Sequence, residues 1–301
     1  MGETLAVYTT IYPGVEIYLR DWYRSLQAQT DQDFQLWIGL DQVECNSIQK
    51  LLGTDPKPNW VQAPLGSTPA QVRQLALSAI VGTAAEVVLV DSDDLLHPSR
   101  IAAARSALRS SDLAACALRF VDHQGGDLEL VFDLPPGIQA NEILPRNNAF
   151  GFSNTAFRSE LLRQILPIPP GAVLVDWLLA TRAWLLGARL SFDHEPRMDY
   201  RQHSANMALV RLPFSTKQVV SQTRLVRQHL QLVLEHPPQG YLPDRFFELK
   251  RVAKEIEGFH ERVVLNTAKL ESYVEAFNAA APPLVWWAGV AYPALKHMWG
   301  E

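Results

Sequence analysis

Apolar residues along this chain change their period repeatedly, and each change marks an element. Residues 5–10 read as a first strand, and Pro13-Gly14 then turns the chain. Over residues 15–29, Ile17, Leu19, Trp22, Tyr23 and Leu26 recur at helical spacing, which predicts an amphipathic helix. Residues 34–40 read as a second strand ending at Asp41, residues 47–52 as a short helix and residues 60–62 as a short strand. A helix over 69–81 follows, with Thr68 placed to cap it and Pro69 at its first position, where a missing N–H is harmless. Within residues 86–90, Val87-Val88-Leu89-Val90 is a continuous apolar run, the mark of a central strand covered on both faces. Strands and helices alternating in this way predict an α/β fold with a mostly parallel central sheet flanked by helices.

Further along, residues 98–110 read as a helix and 113–122 as a strand. Gly125-Gly126 and Pro135-Pro136-Gly137 mark residues 124–145 as turns or loop. Residues 150–157 read as a strand, 159–165 as a helix, 167–171 as a loop, and 176–186 as a helix ending at Gly187. The pattern then shifts to two long helices, 216–234 and 244–279, separated by His236-Pro237-Pro238-Gln239-Gly240. We therefore divide the chain into a first domain, residues 1–212, and a helical C-terminal extension, residues 213–301, that ends in an aromatic, apolar tail.

Proline interrupts that tail, which falls short of the roughly 20 apolar residues a membrane span needs. Trp286, Trp287, Tyr292 and Trp299 are nevertheless of the types enriched at bilayer interfaces. Three roles stay open for the C-terminal region: packing on the first domain, a homodimer surface through its helices, or peripheral membrane contact. Lys296 and His297 add little positive charge, so attraction to lipid headgroups would be weak.

Composition removes several classes of function. The 301 residues are 48% apolar and 20% charged, as in an ordinary folded protein. A formal net charge of -5 argues against a nucleic-acid partner held by phosphate neutralisation. An anionic nucleotide would need a local cation, from an arginine, a lysine or a metal. Cys45 and Cys116, the two cysteines, make neither a disulfide framework nor a zinc site, so a reducing compartment is expected. Met1-Gly2-Glu3-Thr4-Leu5-Ala6 lacks a basic segment followed by a long apolar run. A cytoplasmic location is the expectation.

The candidate chemistry lies in Asp91-Ser92-Asp93-Asp94, directly after the most apolar strand. In an open parallel sheet, ligands sit beyond the carboxyl ends of the strands. Residues two apart on an extended backbone point the same way, so Asp91 and Asp93 face one ligand together. Carboxylates that close repel unless a cation or a proton intervenes. A hard divalent cation takes oxygen ligands and also bridges phosphate oxygens, so the pair suits a metal–diphosphate complex. The competing reading, that these aspartates cap the next helix, requires that helix to start several residues before Pro98.

Several segments between residues 4 and 207 together resemble the family 2 glycosyltransferases of the GT-A fold. The segment from Leu5 to Tyr12, including Thr9 and Tyr12, is similar to that family's first strand and nucleotide-contacting loop. Ser25-Leu26-Gln27-Ala28-Gln29-Thr30 resembles its "S-L-x-x-Q-T" helix end, and Asp41 its base-contacting aspartate. Gly66 and Arg73 are similar to the glycine and arginine that precede the D-x-D strand. The resemblance implies that Asp91, beside Ser92, contacts the ribose or a metal-bound water, and that Asp93 ligates Mn²⁺ or Mg²⁺. Asp94 has no clear role.

Asp176-Trp177-Leu178 resembles the family's acidic motif, whose aspartate deprotonates the acceptor hydroxyl. A helix N-terminus would hold that carboxylate ionised. As an alternative, Asp176 simply caps its helix. Tyr200-Arg201-Gln202-His203-Ser204-Ala205-Asn206 resembles "Y-R-x-H-x-x-N", with Arg201 implied as a phosphate contact and His203 as a metal ligand or diphosphate contact. Asn147, Asn148, Gly151, Phe152 and Ser153 are expected on the acceptor side. The chain departs from the family twice: Asp41-Gln42-Val43-Glu44 stands for D-D-G-S, and Val175-Asp176 for E-D.

The resemblance thus implies inverting transfer from a nucleotide diphosphate sugar donor to a saccharide or glycan acceptor. Two other readings compete. A haloacid dehalogenase-type phosphatase also carries D-x-D after an apolar strand, but there the motif begins the fold, whereas three strands precede it here. A non-catalytic saccharide- or nucleotide-binding protein on the same fold would have no need of Asp91, Asp93, Asp176 and His203 together.

Overall fold

The computed structural model describes residues 4–54, 56–203, 213–280, 282 and 286–300. Met1-Gly2-Glu3, Ser204-Ala205-Asn206 of the last motif and Pro283-Leu284-Val285 of the tail lie outside the described residues.

Strand β1 (Leu5–Ile11) is buried at every position. Helix α1 (Leu19–Gln27) follows. It starts later than its periodicity suggests, because Gly14 turns the chain at φ +97° and Ile17 faces solvent at 75% exposure. Strand β2 (Gln35–Leu40) lies parallel to β1, and after α2 (Cys45–Leu52) strand β3 (Asn59–Gln62) lies parallel to β2. Gly66 at φ +81°, a backbone region that favours glycine, leads into α3 (Pro69–Ile80). Thr68 caps α3 as expected, and Gln71 reaches back to complete a capping box. Strand β4 (Glu86–Leu89) then pairs parallel with the other edge of β1. These four strands form the order β3-β2-β1-β4, all parallel, with a helical crossover behind each connection.

The second half makes the sheet mixed. It comprises β5 (Leu95–Leu96), α4 (Arg100–Leu108), β6 (Leu113–Val121), β7 (Asp127–Phe132), α5 (Ala140–Ile143), β8 (Thr155–Arg158), α6 (Ser159–Ile165), α7 (Val175–Leu185) and β9 (Leu190–Arg201). Strand β8 runs antiparallel between β4 and β6 and joins the two halves. Strand β9 lies parallel to β6, and β5 pairs antiparallel with β9.

Several elements depart from the sequence expectation for identifiable reasons. Residues 124–145 hold β7 and α5 as well as turns: Gly125 at φ +90° closes a β6–β7 hairpin that the glycines announced only as a turn. Strand β9 escaped the pattern because it carries six charged or histidine residues around Pro196. Register shifts opposite Cys116 to Leu118 absorb that proline, and bulges are where sheets tolerate one. The strand expected over 150–157 is confined to β8. Ahead of it, the Asn148 and Asn154 side chains bond to nearby backbone and hold a loop.

The C-terminal region contains α8 (Thr216–Glu235), α9 (Pro243–Phe259) and α10 (Thr267–Ala279). The single helix expected over 244–279 is broken by a π-helical turn at His260–Val264, and Asn266, whose side chain accepts the Lys269 N–H at 3.1 Å, caps the restart. Trp286, Trp287 and Trp299 are buried. Trp287 stacks on Trp177 of α7, and Trp286 packs against Phe120, Phe132 and Tyr200. Trp286 and Trp287 thus pack on residues of the first 212, whereas Trp299 packs on Phe259 of α9 and Tyr273 of α10. No described helix is long and apolar enough to cross a membrane.

Candidate active site

The chain leaves β1 toward β2 on one side, while β4 lies on the other. The topological switch point, where open α/β sheets form their ligand crevice, therefore falls between the carboxyl ends of β1 and β4. Tyr12 follows β1, Asp41 follows β2, and Asp91 to Asp94 follow β4. The aspartates cap no helix: α4 starts at Arg100, with Ser99 at its N-cap. Strand β5 pins the cluster's far end against β9, which delivers Arg201, Gln202 and His203 to it.

Each member of the cluster has a different partner. The Asp93 carboxylate accepts from the Tyr12 hydroxyl at 3.4 Å and lies 2.8 Å from His203 Nε2. Asp94 is 1% exposed and faces inward, where its Oδ1 accepts the Arg201 N–H at 2.7 Å and its Oδ2 the Ser153 hydroxyl. The Asp91 N–H donates to Ser153 Oγ at 2.9 Å, and its carboxylate meets Arg73 Nη2 at 3.4 Å. Ser92 is buried, its hydroxyl donating to the Thr10 carbonyl at 2.8 Å. Asp91 and Asp93 thus face the crevice, while Ser92 and Asp94 fasten the loop that carries them.

The crowding of carboxylates is visible in their acidity. Burial pushes Asp91 up to about 7; Arg73 pulls it down, and the charges of Asp93 and Asp176 push it further up. Asp94 is raised well above the ordinary carboxylate range by burial first, then by Asp93 and Asp91. The Tyr12 phenol is raised by burial and by the three aspartates.

Arg73, from the site-facing side of α3, lies with its guanidinium carbon 4.1 Å from the Phe152 ring centroid. Its guanidinium pairs with Asp91, and its charge also lowers Asp176. Asp176 lies in the first turn of α7 but is not its cap, a position held by Leu174. The N-terminal amides of α7 do lower its pKa, as expected, but they are outweighed. Burial dominates and raises it, against smaller lowering by the Trp177 N–H, Arg73 and Asn148.

The predicted site residues fall into two groups. Tyr12, Arg73, Asp91, Asp93 and His203 converge on the crevice, with Asp176 linked to them through Arg73 and Asp91. Asp41 stands at the end of the next strand, bonded by Gln42 Nε2 at 3.3 Å, and Gln42 adopts φ +57° where relatives of the resembled family have D-D-G-S. Thr9 and Arg201 do not present their polar groups there. Thr9 is fully buried within β1. Arg201, 1% exposed, donates from Nε to the Asp93 carbonyl at 2.8 Å and from Nη1 to the His123 carbonyl at 3.0 Å. It braces the acidic loop.

Sequence reasoning missed Tyr18, whose ring stacks on His203 with centroids 5.4 Å apart and carries the Arg201 guanidinium carbon 4.7 Å from its centroid. It also gave Ser153 and Asn148 no contacts, since their partners lie far away in sequence.

Among the described residues, no three His, Cys, Asp or Glu side chains gather closely enough to cage a cation. Asp93 and His203 supply one carboxylate and one imidazole. Such a donor set fits a divalent cation that takes most of its remaining ligands from diphosphate oxygens and water.

No protein-family model matches the chain, and no curated protein matches its sequence. Solved structures do resemble it. S. aureus TarS 1-349 in complex with UDP-GlcNAc superposes with a TM-score of 0.57 at 16% identity, over 85% of this chain and 72% of that one. The mannosyltransferase PcManGT from Pyrobaculum calidifontis, in complex with GDP-Man and Mn²⁺, gives 0.54 at 14% identity, over 97% and 78%. A mycobacterial protein gives 0.51 at 14% identity, over 77% and 74%. The fold is accordingly α/β of the GT-A-like type, shared with proteins that bind nucleotide sugars.

Proposed function

We propose that this chain is a metal-dependent, inverting glycosyltransferase that moves a sugar from a nucleotide diphosphate sugar to a hydroxyl of a saccharide or glycan. The observation that carries this reading is the acidic cluster at the carboxyl end of β4, where Asp91 meets Arg73 Nη2 at 3.4 Å and Asp93 meets His203 Nε2 at 2.8 Å, with Asp176 close enough to raise Asp91. It gives a diphosphate a cationic partner and a place for a metal, with a base within electrostatic reach. The neighbours bound to UDP-GlcNAc and GDP-Man support the donor class.

In this reading Asp41 contacts the base, Asp91 the ribose or a metal-bound water, and Arg73 the diphosphate. Asp93 and His203 would hold Mn²⁺ or Mg²⁺, which supplies charge neutralisation to the leaving diphosphate. Asp176 takes the proton of the acceptor hydroxyl as that oxygen bonds to the sugar's anomeric carbon. The carbon–oxygen bond to the diphosphate breaks on the opposite face, and its electron pair leaves with the nucleotide. One displacement inverts the configuration. Residues 1–212 would form the catalytic domain and 213–301 a supporting extension, in a cytoplasmic protein.

A thermal-shift screen of UDP- and GDP-sugars, with and without Mn²⁺, tests this directly, because a ligand that binds only the folded state raises the melting temperature. One nucleotide class is expected to raise it, and Mn²⁺ to enlarge the rise. No shift with any nucleotide sugar would sink the proposal.

A further inference from the structure

Asn148 is 1% exposed, and its amide is fully engaged. Its Oδ1 accepts the Phe150 N–H at 2.9 Å, and its Nδ2 donates to the Phe150 carbonyl at 3.2 Å. This pair fixes which end of the amide is which, since a flip would set donor against donor and acceptor against acceptor. The other Nδ2 hydrogen then serves Asp176 Oδ2, 3.1 Å away. The loop carrying Asn148 is itself held. Asn147 Oδ1 accepts the Asn148 N–H at 2.8 Å, Asn154 Nδ2 donates to the Ala149 carbonyl at 3.1 Å, and Arg146 pairs with Glu255 of α9.

We propose that Asn148 is a positioning residue for the acceptor-side base: its amide clamps the Asp176 carboxylate in one orientation. The inference rests on the role proposed for Asp176. The backbone N–H groups of Trp177 and Asp176 also stabilise this carboxylate, and the Asn148 amide adds a rigid donor to Oδ2 from outside the helix. It also favours the charged form, opposing the burial that raises this group. The charged groups facing Asp176 are Arg73 of α3 and Asp91 at the end of β4. Neither reproduces the clamp: Arg73 makes its direct contact with Asp91, and Asp91 repels. No feature of the sequence around Asn148 announces this contact across 28 residues.

The test measures kcat and donor KM against pH for the wild type, Asn148→Ala, Asn148→Asp and Asp176→Asn, with a melting temperature for each. Asn148→Asp keeps the side chain's size and its acceptance from Phe150, so it carries the test if Asn148→Ala fails to fold. Both Asn148 variants are expected to lower kcat by about 10- to 100-fold, as for a slightly misplaced reacting group, with donor KM little changed. Their acid limbs should move to higher pH, further in Asn148→Asp, where a carboxylate meets a carboxylate. A folded variant with the wild-type acid limb overturns the positioning role. If Asp176→Asn retains turnover, the base assignment fails instead, and the two failures are told apart.

Discussion

Replacing Asp176 with asparagine is expected to lower the turnover of sugar transfer by about a thousandfold, within the range that general bases contribute. Asparagine has the same shape and still offers an oxygen to the Asn148 amide, so donor binding should change little. Stability should not fall, because Asp176 is a carboxylate whose ionised form burial disfavours. The pH dependence carries the sign of that burial. Asp176 must be ionised to take a proton, and its raised pKa moves the acid limb of the wild-type rate to higher pH than an exposed aspartate would give. Activity should therefore fall as pH drops through that raised value. Steady-state rates of the two proteins across pH check both parts.

Asp93→Ala is expected to abolish the effect of Mn²⁺ on nucleotide binding. The wild type should bind UDP or GDP at least about tenfold more tightly with Mn²⁺ than without, equivalent to about 1.4 kcal/mol. Removing Asp93 takes away the carboxylate and leaves His203 without its 2.8 Å partner. Because Asp93 and His203 give the cation few protein ligands, Mn²⁺ alone should bind weakly even to the wild type, and nucleotide should strengthen it. Titration calorimetry with each ligand separately and together distinguishes these cases. A Mn²⁺ effect undiminished in Asp93→Ala would remove the acidic cluster from the metal's surroundings.

The parallel half of the sheet was legible because its strands obey one simple rule. Burial on both faces makes a central strand a continuous apolar run, as in Val87-Val88-Leu89-Val90 at β4, and Thr68-Pro69 punctuates the helix before it. The second half was harder to read. Strand β9 has long polar side chains and a proline, and it is held as a strand by a bulged ladder to β6 that local pattern does not encode. The same contrast runs through the site. Asp91, Asp93, Asp176 and His203 stood out because their residue types and order carry chemistry. What holds them did not. Ser153 ties Asp91 to Asp94, Tyr18 stacks on His203, and Arg201 turns inward to the Asp93 carbonyl, all across contacts set by tertiary packing. Arginine in that motif suggested a phosphate contact, but two buried backbone carbonyls had the prior claim on its guanidinium.

The tail illustrates how composition alone leaves a choice that packing then makes. Trp286 and Trp287 have the character of interfacial anchors, yet they lie against Tyr200, three residues before His203, and Trp177, next to Asp176. The C-terminal region thereby supports both the strand that delivers His203 and the helix that carries Asp176.

The central claim is the cleavage of a sugar–diphosphate bond at this crevice, and proton NMR of an accepted nucleotide sugar incubated with wild-type protein and Mn²⁺ tests it most directly. The expected result is disappearance of the donor's anomeric signal, appearance of the nucleoside diphosphate, and a first-formed sugar product of inverted configuration, with water or a saccharide as acceptor. Release of a nucleoside monophosphate or a sugar phosphate, or a product that retains the donor's configuration, would contradict it.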